Sequence, residues 1–219
     1  MDKQGIIFCA GEIEGLADFY PQLPLTADAL VVCADGGWRH AKALGLQPDL
    51  LIGDFDSCEE IPSDVPKLTY PVRKDATDSY LAADYCLEQG CREIWLLGAV
   101  GSRWDHSLAN FALLKYLHDR SARGILRDCW NEAFLVDSPA LLPKREGWYL
   151  SLIPFGGDVE EVSISGVSYP TEKVFFPFAG SLGVSNQIEK EAARVAYRGG
   201  FLLGFFSRDK KGEKKANLK

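Results

Sequence analysis

The first half of the chain alternates short apolar runs with stretches of helical periodicity. GIIFCAG, ALVVCADGG, LLIGDFDS and EIWLLGAVG are followed in turn by EIEGLADFY, WRHAKALGL, DSYLAADYCLEQG and DHSLANFALLKYLHD. This alternation commits a chain to a mostly parallel sheet with flanking helices, because parallel neighbours need a long crossover between them. From about Gly124 the helical period fades. AFLVD, WYLSLIPF, VEEVSISGV and RVAYRGGFLLGFFS read as strands, with Gly199 and Gly200 placed for a tight hairpin turn. The expected fold is an α/β domain over residues 1–124, an antiparallel β domain over 125–209, and a basic, flexible tail over 210–219.

At 219 residues and 47% hydrophobic, the chain can bury a substantial core. A net charge of -7 argues against a broad nucleic-acid face and leaves room only for a local basic pocket. The six cysteines, at 9, 33, 58, 86, 91 and 129, form no C-x-x-C pair and lie mostly in apolar runs. They are expected as reduced core thiols of a cytoplasmic protein. No apolar run approaches the ~18 residues of a membrane span, and the N-terminal run is too short for a secretion signal.

Acidic residues gather where strands end. Asp35 closes ALVVCA, and Asp54 and Asp56 close LLIGDFDS on one side of an extended strand, roughly 6.6 Å apart. Two helix starts add Asp78, in line with Leu81, Ala82 and Tyr85, and Asp105, in line with Leu108, Ala109 and Ala112; Asn110 heads Leu113, Leu114 and Leu117. Both helices are expected to aim their first-turn acid at the strand ends. Singly, each acid is explained as a helix cap or turn residue. Together, five converging carboxylates repel one another unless a cation neutralises them. A site of aspartates without His or Cys suits Mg²⁺ bridging to phosphate.

Arg103 and Lys74 lie nearby as candidate phosphate ligands. No G-x-x-x-x-G-K-[ST] or G-x-G-x-x-G occurs, so a nucleotide here is held without a P-loop. His106 suits an acid–base group, a nucleotide contact or a hydrogen-bonded first-turn residue. Residues 174–188 carry no charge and read either as an apolar lip over an aromatic substrate or as a buried loop.

DGG at 35–37, GDFDS at 53–57, KDATDSYLA at 74–82, GSRWDHSLAN at 101–110 and GVSN at 183–186 occur in order. In these motifs the chain resembles the thiamine pyrophosphokinases of bacterial type, from about residue 5 to the SRD at 207–209. The resemblance implies an α/β catalytic domain and a C-terminal β-sandwich. It further implies a homodimer with thiamine held between the catalytic domain of one subunit and the β domain of the other. The implied reaction moves a diphosphoryl group from ATP to the thiamine hydroxyl, with Mg²⁺, giving thiamine diphosphate and AMP. Carried over by position, Asp54, Asp56 and Asp78 are implied as metal ligands, joined in catalysis by Arg103 and Asp105. Asp35, Gly36, Gly37, Lys74, Thr77, His106 and Asn110 are implied around ATP, and Ser185 and Asn186 at thiamine. The third motif departs from the family's G-G-R-x-D-H, since Ser102 replaces the second Gly, and no tryptophan follows Trp148 to stack on thiamine. Two alternatives stay open: a haloacid-dehalogenase-like phosphatase using GDFDS, and a non-catalytic nucleotide or thiamine sensor.

Overall fold

Each of the apolar runs in the first half forms a strand. The structure, a computed structural model, describes residues 2–54, 63–69 and 76–210. It divides into two compact units, Met1–Cys129 and Trp130–Lys219.

In chain order the first unit comprises β1 (Gln4–Phe8), α1 (Leu16–Phe19), β2 (Leu30–Ala34), α2 (Trp38–Ala43), β3 (Leu50–Gly53), β4 (Lys67–Thr69), α3 (Asp78–Glu88), β5 (Glu93–Leu97), α4 (Trp104–His118) and β6 (Arg123–Arg127). The strands are parallel, in the order β4-β3-β2-β1-β5-β6. Strand β6 thus continues the parallel sheet three residues beyond the junction expected at 124. Ile6, Ile7 and Phe8 are all fully buried, as a central parallel strand covered on both faces requires. The chain winds outward from β1 to β4, then returns to place β5 on the other side of β1. The β1/β5 boundary is therefore the topological switch point, where crossovers leave in opposite directions and strand ends open a crevice.

Two helix faces differ from expectation. On α4 the buried stripe is Ser107, Asn110, Leu113, Leu114 and Leu117, whereas Asp105, Leu108, Ala109 and Ala112 face solvent. Two stripes compete on this helix; the one with three leucines buries more apolar area and wins. On α3 the buried stripe is Ser79, Ala82, Ala83 and Cys86, leaving Asp78 half-buried at its edge. Cys9, Cys33, Cys86, Cys91 and Cys129 are buried free thiols, as expected, and Cys58 lies outside the described residues. No described helix is long and apolar enough to cross a membrane.

The second unit comprises β7 (Asn131–Leu135), β8 (Ala140–Pro143), β9 (Tyr149–Pro154), β10 (Val159–Ser165), β11 (Thr171–Phe176), β12 (Ala192–Arg198) and β13 (Leu202–Ser207). Strand β13 pairs antiparallel with β7 and β9, and a separate antiparallel sheet runs β11-β10-β12-β8. Leu150 and Leu152 of β9, Val162 and Ile164 of β10, and Phe206 of β13 share one buried core between the layers. Gly199 and Gly200 do turn the chain, with φ of 62° and 71°, but they close no hairpin. They carry it from β12 in one layer to β13 in the other. A Cβ on Gly200 would lie 2.4 Å from the Asp158 carbonyl oxygen, so the crossing demands glycine. Of the tail expected at 210–219, only Lys210 is described.

Candidate functional site

At the C-terminal ends of β1, β2 and β5 the first unit opens a cleft of about 350 Å³. One wall is Cys9, Ala10 and Gly11 after β1, with Ala34 and Asp35 at the end of β2; the adjoining wall is Gly98, Ala99 and Gly101 after β5. The starts of α3 (Thr77, Asp78, Ser79) and α4 (Arg103, His106, Ser107) close it. The walls meet backbone to backbone, with the Gly11 N–H donating to the Gly98 carbonyl at 2.8 Å. A Cβ on Gly11 would lie 2.3 Å from that oxygen, which excludes every other residue.

Asp35 and Asp78 both border this cleft, and Asp35 holds φ at +46°, a strained value for a non-glycine residue. Gly36 and Gly37 carry the chain from Asp35 into α2; a Cβ on Gly37 would fall 1.9 Å from the Phe8 carbonyl oxygen. Asp54 follows β3, whose Gly53 lies close against the Asp35 backbone, yet Asp54 itself does not border the cleft. Asp56 and Lys74 lie outside the described residues. Among the described residues no group of three or more His, Cys, Asp and Glu is close enough to hold a metal ion. The donor chemistry nonetheless suits Mg²⁺, which needs few protein carboxylates and completes its shell with water and phosphate oxygens. The nearby thiol of Cys9 does not compete, because burial and then the Asp78 charge push it up to about 12.

Arg103 and His106 present the basic side of the cleft. Arg103 grips Asp105 through two N–H groups on one edge of its guanidinium, Nε and Nη2, and this contact, aided by the His106 backbone N–H, draws Asp105 down to about 2. Asp105 is solvent-exposed and stands outside the cleft lining, contrary to the expectation that its helix would aim it at the strand ends. Thr77 caps α3 by accepting from Tyr80 N at 3.3 Å. Asn110 is buried: Nδ2 donates to the Ala99 carbonyl at 2.6 Å and Oδ1 accepts from Ser79 Oγ at 2.7 Å. Sequence reasoning passed over the β1 wall, Ser79 and Ser107. The one available signal was the glycine closing CAG and LLGAVG.

In the second unit Ser185 has φ of +59° and its N–H donates to Ser151 Oγ at 3.0 Å. Asn186 is buried, its Oδ1 accepting from Tyr169 N and Gln187 N, while Nδ2 donates to the Tyr169 carbonyl. Asn186 thereby anchors the turn that presents Ser185. Phe175, Phe178, Leu182 and Val184 are exposed, while Val174 to Phe176 belong to β11 and Phe176 and Ile188 are buried in the core. The uncharged segment is therefore neither wholly a lip nor wholly a buried loop: it presents an exposed apolar lip on buried anchors.

A family model described as thiamin pyrophosphokinase, catalytic domain, matches residues 22–126, and a second, thiamin pyrophosphokinase, vitamin B1 binding domain, matches 140–202. Thiamine pyrophosphokinase of Bacillus subtilis (strain 168) is 30% identical over 188 residues, 82% of this chain and 88% of that protein. The crystal structure of thiamine pyrophosphokinase from Bacillus subtilis superposes with a TM-score of 0.86 at 25% identity, covering 95% of this chain and all of that one. That of Geobacillus thermodenitrificans gives 0.81 at 26% identity, covering 94% and 98%. The Candida albicans enzyme, at 15% identity and a TM-score of 0.76, shares the fold. Two family models in sequence, a relative matched over most of both lengths, and a fold shared from end to end agree: the chain belongs to the thiamine pyrophosphokinase family.

Proposed function

We propose that this enzyme transfers the diphosphoryl group of ATP to the hydroxyl of thiamine, giving thiamine diphosphate and AMP. The observation that carries the proposal is the switch-point cleft, bordered by two aspartates, Asp35 and Asp78, and by Arg103 and His106. The hydroxyl oxygen forms a bond to the β-phosphorus, the bond from that phosphorus to the bridging oxygen of AMP breaks, and the hydroxyl proton is released. Asp54, Asp56 and Asp78 would hold Mg²⁺, which when bound neutralises phosphate charge. The protein's own work is alignment and charge compensation, since phosphoryl transfer asks little covalent chemistry of side chains. Arg103 offers a fork matched to phosphate; Lys74, Thr77, His106, Asn110 and the turn at Asp35, Gly36 and Gly37 position the nucleotide.

Ser185 and Asn186 form part of the thiamine end. The exposed lip supports a homodimer in which this end meets the catalytic cleft of a second copy. The free thiols support a cytoplasmic setting. The phosphatase and sensor alternatives draw no support from the family matches. Phosphorus NMR of protein with thiamine, ATP and Mg²⁺ is expected to show AMP and thiamine diphosphate accumulating together. ADP with thiamine monophosphate, or no turnover, would refute the assignment.

A further inference from the structure

In the first unit the buried polar side chains among the described residues are His40, Ser79, Ser107 and Asn110. Three of them line the cleft, and the fourth lies behind its β1 wall. His40, on α2, places Nε2 2.7 Å from the Gly11 carbonyl oxygen. Because a carbonyl only accepts, that nitrogen carries the proton. The preceding residue, Arg39, donates from Nη2 to the Ala10 carbonyl at 2.5 Å and to Glu12 Oε1 at 3.0 Å. Three consecutive residues of the turn after β1 are thus held from one helix.

The grip continues around the cleft. The Gly11 N–H donates to Gly98, the Ala99 carbonyl accepts from Asn110, Asn110 accepts from Ser79, and Ser79 Oγ lies 3.1 Å from Thr77 Oγ1. A single series of contacts therefore links α2, both strand ends at the switch point, α4 and α3. The buried polar groups of this series cost free energy unless each is satisfied, and here they hold the elements that carry Asp35, Asp78, Arg103 and His106.

We infer that His40, assisted by Arg39, is a positioning residue for diphosphoryl transfer. It touches no substrate atom in this scheme and acts by holding the turn of Ala10 and Gly11 against Gly98, which fixes the two adjoining strand ends that line the cleft. The inference rests on the function proposed above.

The test compares His40→Leu, which removes the donor, with His40→Gln, which keeps an N–H at similar reach. kcat and KM for ATP are measured beside thermal unfolding and amide hydrogen exchange at Gly11. His40→Leu is expected to lose about 10²-fold in kcat/KM and to exchange Gly11 faster, while His40→Gln stays within about threefold of wild type. Arg39→Met, at a half-exposed position, repeats the test without a core change and is expected to lose about tenfold. A wild-type kcat/KM in either folded donor-deleted variant overturns that residue's role. Equal losses in His40→Leu and His40→Gln with unchanged Gly11 exchange overturn the clamp itself. Should the wild-type protein show no turnover, the proposed reaction fails, and Gly11 exchange alone decides whether His40 holds the turn.

Discussion

Arg103 and Asp105, two residues apart at the start of α4, are joined by a two-point contact along one edge of the guanidinium, Nη2 to Oδ2 at 2.5 Å and Nε to Oδ1 at 3.2 Å. With its carboxyl held at about 2, Asp105 stays ionised throughout any ordinary assay range and keeps the fork oriented. An ammonium cannot reproduce that planar two-point contact. Arg103→Lys is therefore expected to lower kcat/KM for ATP by about tenfold or more without moving the unfolding temperature, since the pair is exposed. Steady-state kinetics within twofold of wild type would remove Arg103 from the site.

The acids proposed for Mg²⁺ make a separate prediction. Asp54→Asn, Asp56→Asn and Asp78→Asn each keep side-chain volume while deleting a charge. Each is expected to cut kcat by about 10²-fold and to raise the Mg²⁺ concentration needed for half-maximal rate. Unchanged kcat and Mg²⁺ dependence in any one variant would take that residue out of the metal site.

Asn110 joins Ala99 and Ser79 inside the fold, so its loss should register in stability as well as rate. Asn110→Ala removes its bonds to a buried carbonyl and a buried hydroxyl, at about 1–3 kcal/mol for each group left unsatisfied. Urea denaturation should show a lower midpoint with an unchanged slope. A midpoint equal to wild type would mean that water replaces both bonds.

In the second unit, Arg145 holds Glu132 through two bonds of 2.8 and 2.9 Å, and the Glu132 side chain is only 4% exposed. The guanidinium also lies 4.1 Å from the centre of the Phe206 ring. Arg145→Met strips the buried carboxylate of this partner and is expected to cost about 3–5 kcal/mol, much of it regained when Glu132→Leu is added. Equilibrium unfolding of the single and double variants checks both statements, and a single variant as stable as wild type would show the pair to be dispensable.

His40 should make stability depend on pH. Burial lowers its pKa from 6.5, with Arg39 lowering it further and the Gly11 bond and Glu12 opposing. Between the lowered value and 6.5 the unfolded chain binds more protons than the folded one, so stability is complete above that window and declines as pH falls through it. His40→Gln, which does not titrate, is expected to flatten this decline in thermal unfolding measured from pH 7.5 to 5. An identical pH dependence in the variant would assign the decline to other groups.

Much of this protein is legible in its sequence because the relevant signals are local. Four of the six strands of the first unit, and their alternation with helices, follow from periodicity over a few residues, as does the β character of the second unit, whereas the short edge strand β4 and strand β6 carry no such signal. Asp35 and Asp78 stand out because carboxylates at strand ends and helix starts are visible without knowing the sheet. The five spaced motifs name the family for the same reason.

What the tertiary structure alone decided is non-local. The α4 sequence contains two stripes of helical spacing, and only packing on the sheet selects the Asn110 stripe and leaves Asp105 in solvent. Gly199 and Gly200 look the same whether they close a hairpin or carry a chain between layers; the pairing of β12 with β10 and β8, and of β13 with β7 and β9, settles which. The cleft itself depends on β5 returning to lie beside β1, a strand order that no residue spacing encodes. The chain by itself determined which residues could do this chemistry. The gathering of Asp35, Asp78, Arg103 and His106 around one cleft was decided by burial of the parallel sheet, because contacts between residues as distant as Gly11 and Gly98 form only when the whole sheet packs.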